Sequence, residues 1–191
     1  MAAGVTPVAA YAPKGAASLA ASYTNLANPG TYDAAPGVAP TWDAATGWAF
    51  VTNKYLTTGI IPASGWTMIV KFSNQVGLGC LIGESSAGAN FGLYGDDGTV
   101  KKYYLSGGVL TLAPKATSGV MAVAAQVCYL DGSSVGTIAT AWSNTTSYQI
   151  DIGRRNGAAP LHYLTGKIQS VWIASSTLSA AQIATQSAAM P

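Results

Sequence analysis

"GKIQSVWIASSTLSAAQI", residues 166–183, decides the architecture of this chain. Its first half interleaves β-branched and aromatic residues with small or polar ones, which predicts a strand. Apolar side chains fall on both faces, Ile168 and Trp172 on one and Val171 and Ile173 on the other. Such a strand needs a second layer inside and a cover outside. The cover follows at once: Ser179 with Gln182 is a capping box, and Leu178 with Ile183 is the hydrophobic staple that fixes how a short helix leaves the strand.

Upstream the text is all strand. "WTMIVKFS" puts Trp66, Met68, Val70 and Phe72 on one face. "NFGLYGDDGTVKKYYLS" predicts two strands around a hairpin turn at Gly95-Asp96-Asp97-Gly98, and Asp131-Gly132 marks another turn. "SYQIDIG" supplies one more strand. Turn signals recur at the short spacing of a sandwich or barrel, and helical periodicity is confined to the end. Residues 1–41 are rich in Ala, Gly and Pro and predict an extended arm, or a wrapping segment with one short strand, leaving 42–191 as the folded domain.

Composition removes several functions. Of 191 residues, 9 are Lys or Arg and 7 are Asp or Glu, so 8% are charged, against roughly 25% in an average soluble domain. No basic cluster exceeds the pairs Lys101-Lys102 and Arg154-Arg155, so nucleic acid is a poor partner. Mean hydropathy is +0.28, yet no apolar run has the roughly 20 residues that span a bilayer. So few charges suit a surface partly covered in an assembly, and a homo-oligomer is expected. Pro7 and Pro13 interrupt the N-terminal apolar run, which also lacks a basic start, so no standard secretory signal is expected. Cys80 and Cys128 follow no metal spacing and are expected to be small buried residues.

The ending resembles that of laminin-G-like, or concanavalin A-like, jelly-roll domains, in which a strand "G-K-I-x-x-V-x-I" precedes "L-S-A-x-Q-I" and a short helix. Here these are Gly166–Ile173 and Leu178–Ile183. "VCYLDGSSVGT", "IDIGRR" and "KYLTTGIIPASGWTMIVKF" are similar to further strands of that family, in the right order over about residues 42–187. The resemblance implies an all-β, two-sheet antiparallel jelly-roll sandwich with one short C-terminal helix. "YAPKGAAS" (11–18) and "NLANPGTYDAA" (25–35) resemble segments that precede such domains in phage and prophage structural genes. That implies a capsid decoration or tail-associated protein, on a virion surface or otherwise extracellular, with virion proteins as partners through the arm.

Enzymes of this fold are mostly retaining glucanases, with paired carboxylates at even spacing on one strand. Glu84 is the sole glutamate, and Ser86 and Gly88 stand where partners would be, so no catalytic residue is expected. Calcium is a candidate cofactor of such domains. Asp96, Asp97 and Asp131 are its candidate ligands, although Asp-Gly pairs are equally what tight turns demand.

Five Trp and ten Tyr against three Phe favour aromatics with one wet end. Aromatic faces and planar polar groups hold sugars, so cell-surface glycans are a candidate ligand. An autonomous carbohydrate-binding module is the alternative to the structural virion reading, and a glycoside hydrolase of the same fold is a remote one. Trp142, Asn144 and Tyr148 lie around one strand connection, and Arg154, Arg155, Asn156, His162 and Tyr163 around the next. Each has a structural alternative, Trp142 and Tyr148 as core and the arginines as a solvated loop.

Overall fold

Pairing between distant strands organises the chain, and the computed structural model describes residues 4–86, 89–142 and 147–191. In chain order the elements are β1 (Ala9–Tyr11), α1 (Leu19–Ser22), β2 (Ala35–Val38), β3 (Thr41–Asp43), β4 (Gly47–Phe50), β5 (Tyr55–Thr57), β6 (Thr67–Ser73), β7 (Ile82–Ser86) and β8 (Ala89–Asp97). Then come β9 (Val100–Leu105), β10 (Gly108–Leu112), β11 (Gly119–Ala124), β12 (Val127–Leu130), β13 (Ser133–Thr137), β14 (Asp151–Ile152), β15 (Arg155–Gly157), β16 (Gly166–Ala174) and α2 (Ala180–Ala189).

The first sheet runs β13-β12-β11-β6-β16-β4-β3, with β1 also on β16; the second runs β10-β9-β8-β7-β14-β5-β2, with β15 on β7. The pairings are antiparallel except for β15 with β7. The expected two-sheet sandwich is the architecture found. Met68, Val70 and Phe72 of β6, as the alternation predicts, face the core shared with Ile82, Phe91, Leu93 and Tyr103 of the second sheet.

Alternation breaks at one place. The register of β16 on β6 jumps between Ile168 and Ser170, leaving Gln169 as a bulge. Ile168 therefore shares the inner face with Val171 and Ile173, opposite Phe72, Val70 and Met68, while Trp172 points outward beside Ile69. The unbroken alternation expected from the sequence put Ile168 with Trp172; the extra residue reverses that assignment. Gly47 packs beside the bulge at φ +84, where a Cβ would lie 2.3 Å from the Ile168 carbonyl oxygen. Only glycine tolerates both constraints.

Outside the first sheet, Trp172 and Ile69 are covered by Leu178, Ile183 and Met190. The capping box is formed: Gln182 N–H donates to Ser179 Oγ at 3.3 Å, and Ser179 N–H to Gln182 Oε1 at 2.9 Å. Asp131-Gly132 is the two-residue turn between β12 and β13, both with positive φ, +50 and +80. The turn placed at 95–98 lies instead beyond Asp97, which pairs with Val100 after a register shift that follows Tyr94.

The N-terminal segment wraps onto the sandwich rather than extending as an arm, and it holds two strands and a helical turn in place of the one strand expected. β1 pairs with Ile173–Val171 and β2 with β5, so residues before 42 extend both sheets. Ala, Pro and Gly suggested an arm because local composition does not reveal partners far along the chain. Tyr11, Tyr23 and Phe50 surround Trp48 at 6.1–6.5 Å, and Trp48 Nε1 donates to Ser22 Oγ at 2.7 Å. Asn25, fully buried, donates to the carbonyls of Val8 and Thr31 and accepts from the N–H groups of Ala10 and Ala27. Asn25→Ala strands those four backbone groups and is expected to cost about 3 kcal/mol or more, read from denaturant unfolding. A loss under about 0.5 kcal/mol, the range of exposed sites, would mean that the segment is not anchored in this way.

Candidate functional site

Because α2 covers the outer side of the first sheet, the outer side of the second is the broad face left for recognition. Period two and the register place Tyr55 and Thr57 of β5, Asp151 of β14, Ser85 of β7, Asn90 and Tyr94 of β8, and Lys102 and Tyr104 of β9 on it. Over this face folds the 153–165 segment. Arg155 and Leu161 exchange backbone hydrogen bonds at 3.0 and 3.2 Å, and Cys80 N–H donates to the His162 carbonyl at 2.8 Å.

Three groups of side chains result. In the first, the Arg154 guanidinium lies 3.3 Å over the Tyr55 ring, donates from Nε to Asp151 Oδ2 at 2.6 Å and reaches the Tyr163 hydroxyl at 3.4 Å. Arg154 is 9% exposed and Asp151 fully buried. Burial raises the Asp151 carboxyl above the ordinary aspartate range even against this cation. Arg154 and Tyr163 are thus committed to an internal stack.

In the second, the Tyr94 hydroxyl and His162 Nδ1 stand 3.1 Å apart, with Tyr104 edge-on to Tyr94 at 5.2 Å. Burial lowers the His162 pKa and the Arg155 charge adds to the effect. His162 sits at φ +57, held there by the Cys80 contact.

The third group lines an open, shallow cavity of about 410 Å³, formed by Ser85, Ser86, Asn90, Arg155, Gly157–Ala159 and Leu161. Ser85 Oγ bonds Asn90 Oδ1 at 3.0 Å. Arg155 Nε is buried and unpartnered among the described residues. Beneath, Glu84 Oε2 accepts from Ser86 N–H at 2.9 Å and from Ser86 Oγ at 2.7 Å, while Oε1 is buried without a partner. Burial pushes the Glu84 carboxyl up to about 7, against the Ser86 hydrogen bonds that favour its anion.

Of the residues singled out from sequence, Arg154, Arg155, His162 and Tyr163 come together on this face. Asn156 is half-buried, its Nδ2 donating to the Gln149 carbonyl at 3.0 Å. Trp142 departs from the binding role: it is 5% exposed and stacks on Phe91 at 5.9 Å inside the core. Tyr148 is half-buried on the approach to β14, where Ser147 N–H donates to Ser86 Oγ at 2.8 Å. Asn144 lies outside the described residues. Tyr55, Ser85, Asn90 and Tyr94 were missed, although Asn90-x-Gly92-x-Tyr94 shows the period-two signal.

The aspartates proposed for calcium have three separate tasks. Asp96 is buried and holds Lys115 at 2.8 Å and Gly77 N–H at 3.1 Å. Asp97 pairs with Lys102, and Asp131 Oδ1 accepts from Val120 N–H at 2.8 Å. Among the described residues, no three His, Cys, Asp or Glu side chains converge on a metal position. Cys80 and Cys128 are buried free thiols, each pushed up to about 12 by burial.

No known protein family matches the chain, and no curated protein is similar in sequence. Similar solved structures include one of botulinum neurotoxin type C, whose cell entry depends on interaction with two ganglioside molecules: TM-score 0.67, 6% identity, covering 97% of this chain and 51% of that one. The binding domain of botulinum neurotoxin DC in complex with rat synaptotagmin II gives 0.66 at 7% identity, over 97% and 52%. Trypanosoma rangeli sialidase in complex with 2,3-difluorosialic acid gives 0.61 at 16%, over 94% and 32%. The chain thus spans about half of the neurotoxin chains and a third of the sialidase. At these identities the likeness is one of fold, a two-sheet antiparallel β-sandwich.

Glu84 offers a test of the cavity floor. Its folded pKa of about 7 exceeds the 4.5 of an ordinary glutamate, so between those values the folded chain binds more protons than the unfolded one. Its contribution to stability therefore falls as pH rises through this window and is level above it. His162, with a lowered pKa, acts in the opposite sense, so the comparison must be with a single variant. The melting temperature of Glu84→Gln is expected to gain on wild type between about pH 4.5 and pH 7.5, and a pH-independent gap would contradict the assignment.

Proposed function

We propose that this chain is a non-catalytic, lectin-like adhesion domain that binds glycans on the open outer face of its second sheet. The observation that carries it is the cavity of Ser85, Asn90, Arg155 and Leu161, which sets hydrogen-bonding groups beside the apolar surface of Ala158, Ala159 and Leu161. Its roughly 410 Å³ falls within the range of about 300–1,000 Å³ usual for small-ligand sites. Two chains of similar fold are described through gangliosides and a sialic acid analogue, which agrees with this reading. The absence of catalysis is part of the proposal: Glu84 is turned onto Ser86 and Asp151 onto Arg154, so neither is set as half of an acid and nucleophile pair.

A finer form of the proposal places the domain on a phage virion, as a capsid decoration or tail-associated component that assembles with itself and with virion proteins. It is supported by the low charge and by the N-terminal wording. Calcium remains outside this proposal, since turns and ion pairs already occupy Asp96, Asp97 and Asp131. Among the described residues, no helix is long and apolar enough to cross a membrane.

Purified protein on a glycan array is expected to retain a restricted set of saccharides without cleaving them. Retention of none, or release of reducing sugar, would contradict the reading. Mass spectrometry of purified virions tests the finer form by presence or absence of the chain.

A further inference from the structure

We infer that the cavity selects acidic sugars, with a ligand carboxylate seated on the Arg155 guanidinium; this rests on the glycan-binding reading above. Arg155 is held by its backbone, through the reciprocal bonds to Leu161 and the parallel pairing with Gly83 of β7. Its side chain lines the cavity, yet Nε is shielded from solvent and has no acceptor among the described residues. With Nε closed off, a ligand anion meets the guanidinium through its terminal nitrogens, and a planar two-oxygen anion is the complement of that fork.

Among the described residues no carboxylate is ion-paired with Arg155. Among the described residues the ion pairs are Lys102–Asp97, Lys115–Asp96 and Arg154–Asp151, so the neighbouring arginine is neutralised and Arg155 is not. Glu84 feels the charge of Arg155 but is bonded to Ser86. With the Glu84 carboxyl held up to about 7, the local balance on this part of the face is positive below that pH.

The remaining lining fits a sugar rather than a bare anion. With the Ser85 hydroxyl donating to Asn90 and the Ser86 hydroxyl to Glu84, the Asn90 amide N–H groups and the Ser85 oxygen lone pairs are left for ring hydroxyls. Ala158, Ala159 and Leu161 offer an apolar strip for the C–H side of a ring. A pyranose with one carboxylate uses both halves.

The test uses the full chain, isotope-labelled, titrated in NMR with D-glucuronic, D-galacturonic and N-acetylneuraminic acids, their methyl esters, and D-glucose and D-galactose. Sodium acetate and sulfate at the same concentrations serve as anion controls. At least one acid is expected to shift the amides of Asn90, Arg155 and Leu161, and to bind at least tenfold tighter than its ester. Arg155→Gln is expected to abolish that preference with the fold intact. If Arg155→Gln fails to fold, Asn90→Asp carries the test, since a negative charge in the cavity should lower the ratio of acid to ester affinity, whatever the lost amide costs both ligands.

Esters or neutral sugars binding as well as the acids would overturn the inference while glycan binding stands. So would an unchanged preference in a folded Arg155→Gln, or in Asn90→Asp. Acetate or sulfate shifting the same amides equally would overturn it too, by making the site one for anions alone. Failure of every saccharide, here and on the array, would remove the glycan reading itself.

Discussion

Burial of β16 on both faces is the constraint on which the rest of this structure depends. One edge of the strand pairs with β6 and the other with β4 and then β1, so it joins the beginning, middle and end of the chain. The Gln169 bulge gives its inner face Ile168, Val171 and Ile173 and leaves Trp172 outside. An exposed indole beside Ile69 would be an adhesive patch on the first sheet. The helix α2, started at a fixed residue by its capping box, removes that patch. The two outer faces then differ, one sealed by a helix and one left to side chains that meet solvent.

What the open face presents is a rigid set of polar groups. The 153–165 segment is fastened by the Arg155–Leu161 bonds, the Cys80–His162 contact and Leu164 N–H on the Gly153 carbonyl at 2.8 Å. Arg154, stacked between Tyr55 and Asp151, fixes the base of the segment. Its neighbour Arg155 is then held at the cavity by its backbone bonds to Leu161 and its pairing with Gly83, with no ion-pair partner among the described residues. Such preorganisation lowers the ordering cost that a weakly interacting, heavily hydrated ligand such as a sugar must meet. The two arginines, adjacent in sequence, have different roles because a strand-like backbone sends successive side chains to different surroundings.

Much of this was legible in the residues. The alternation in β6, the Asp131-Gly132 turn and the Ser179–Gln182 cap are local rules, and each describes what formed. The sites that were not legible depend on contacts far apart in the chain. Nothing near Gln169 announces a bulge, which follows from fitting β16 to β6. The Ala- and Gly-rich start looked like an arm because the partners of Tyr11 and Asn25 lie at Trp48, in β16 and in the 27–31 turn. Trp142 suited a sugar platform by residue type, and only the inward aim of Phe91 makes it core. Arg155 was chosen with Arg154 as a pair; among the described residues the structure gives Arg154 an ion pair and Arg155 none.

Native-state hydrogen exchange tests most directly the claim that β16 is the doubly covered spine. The amides of Val171, Trp172 and Ile173 should exchange only through global unfolding, and more slowly than those of the edge strands β10 and β13. Exchange of these three through local opening, or protection no greater than that of Val109 on β10, would contradict the account.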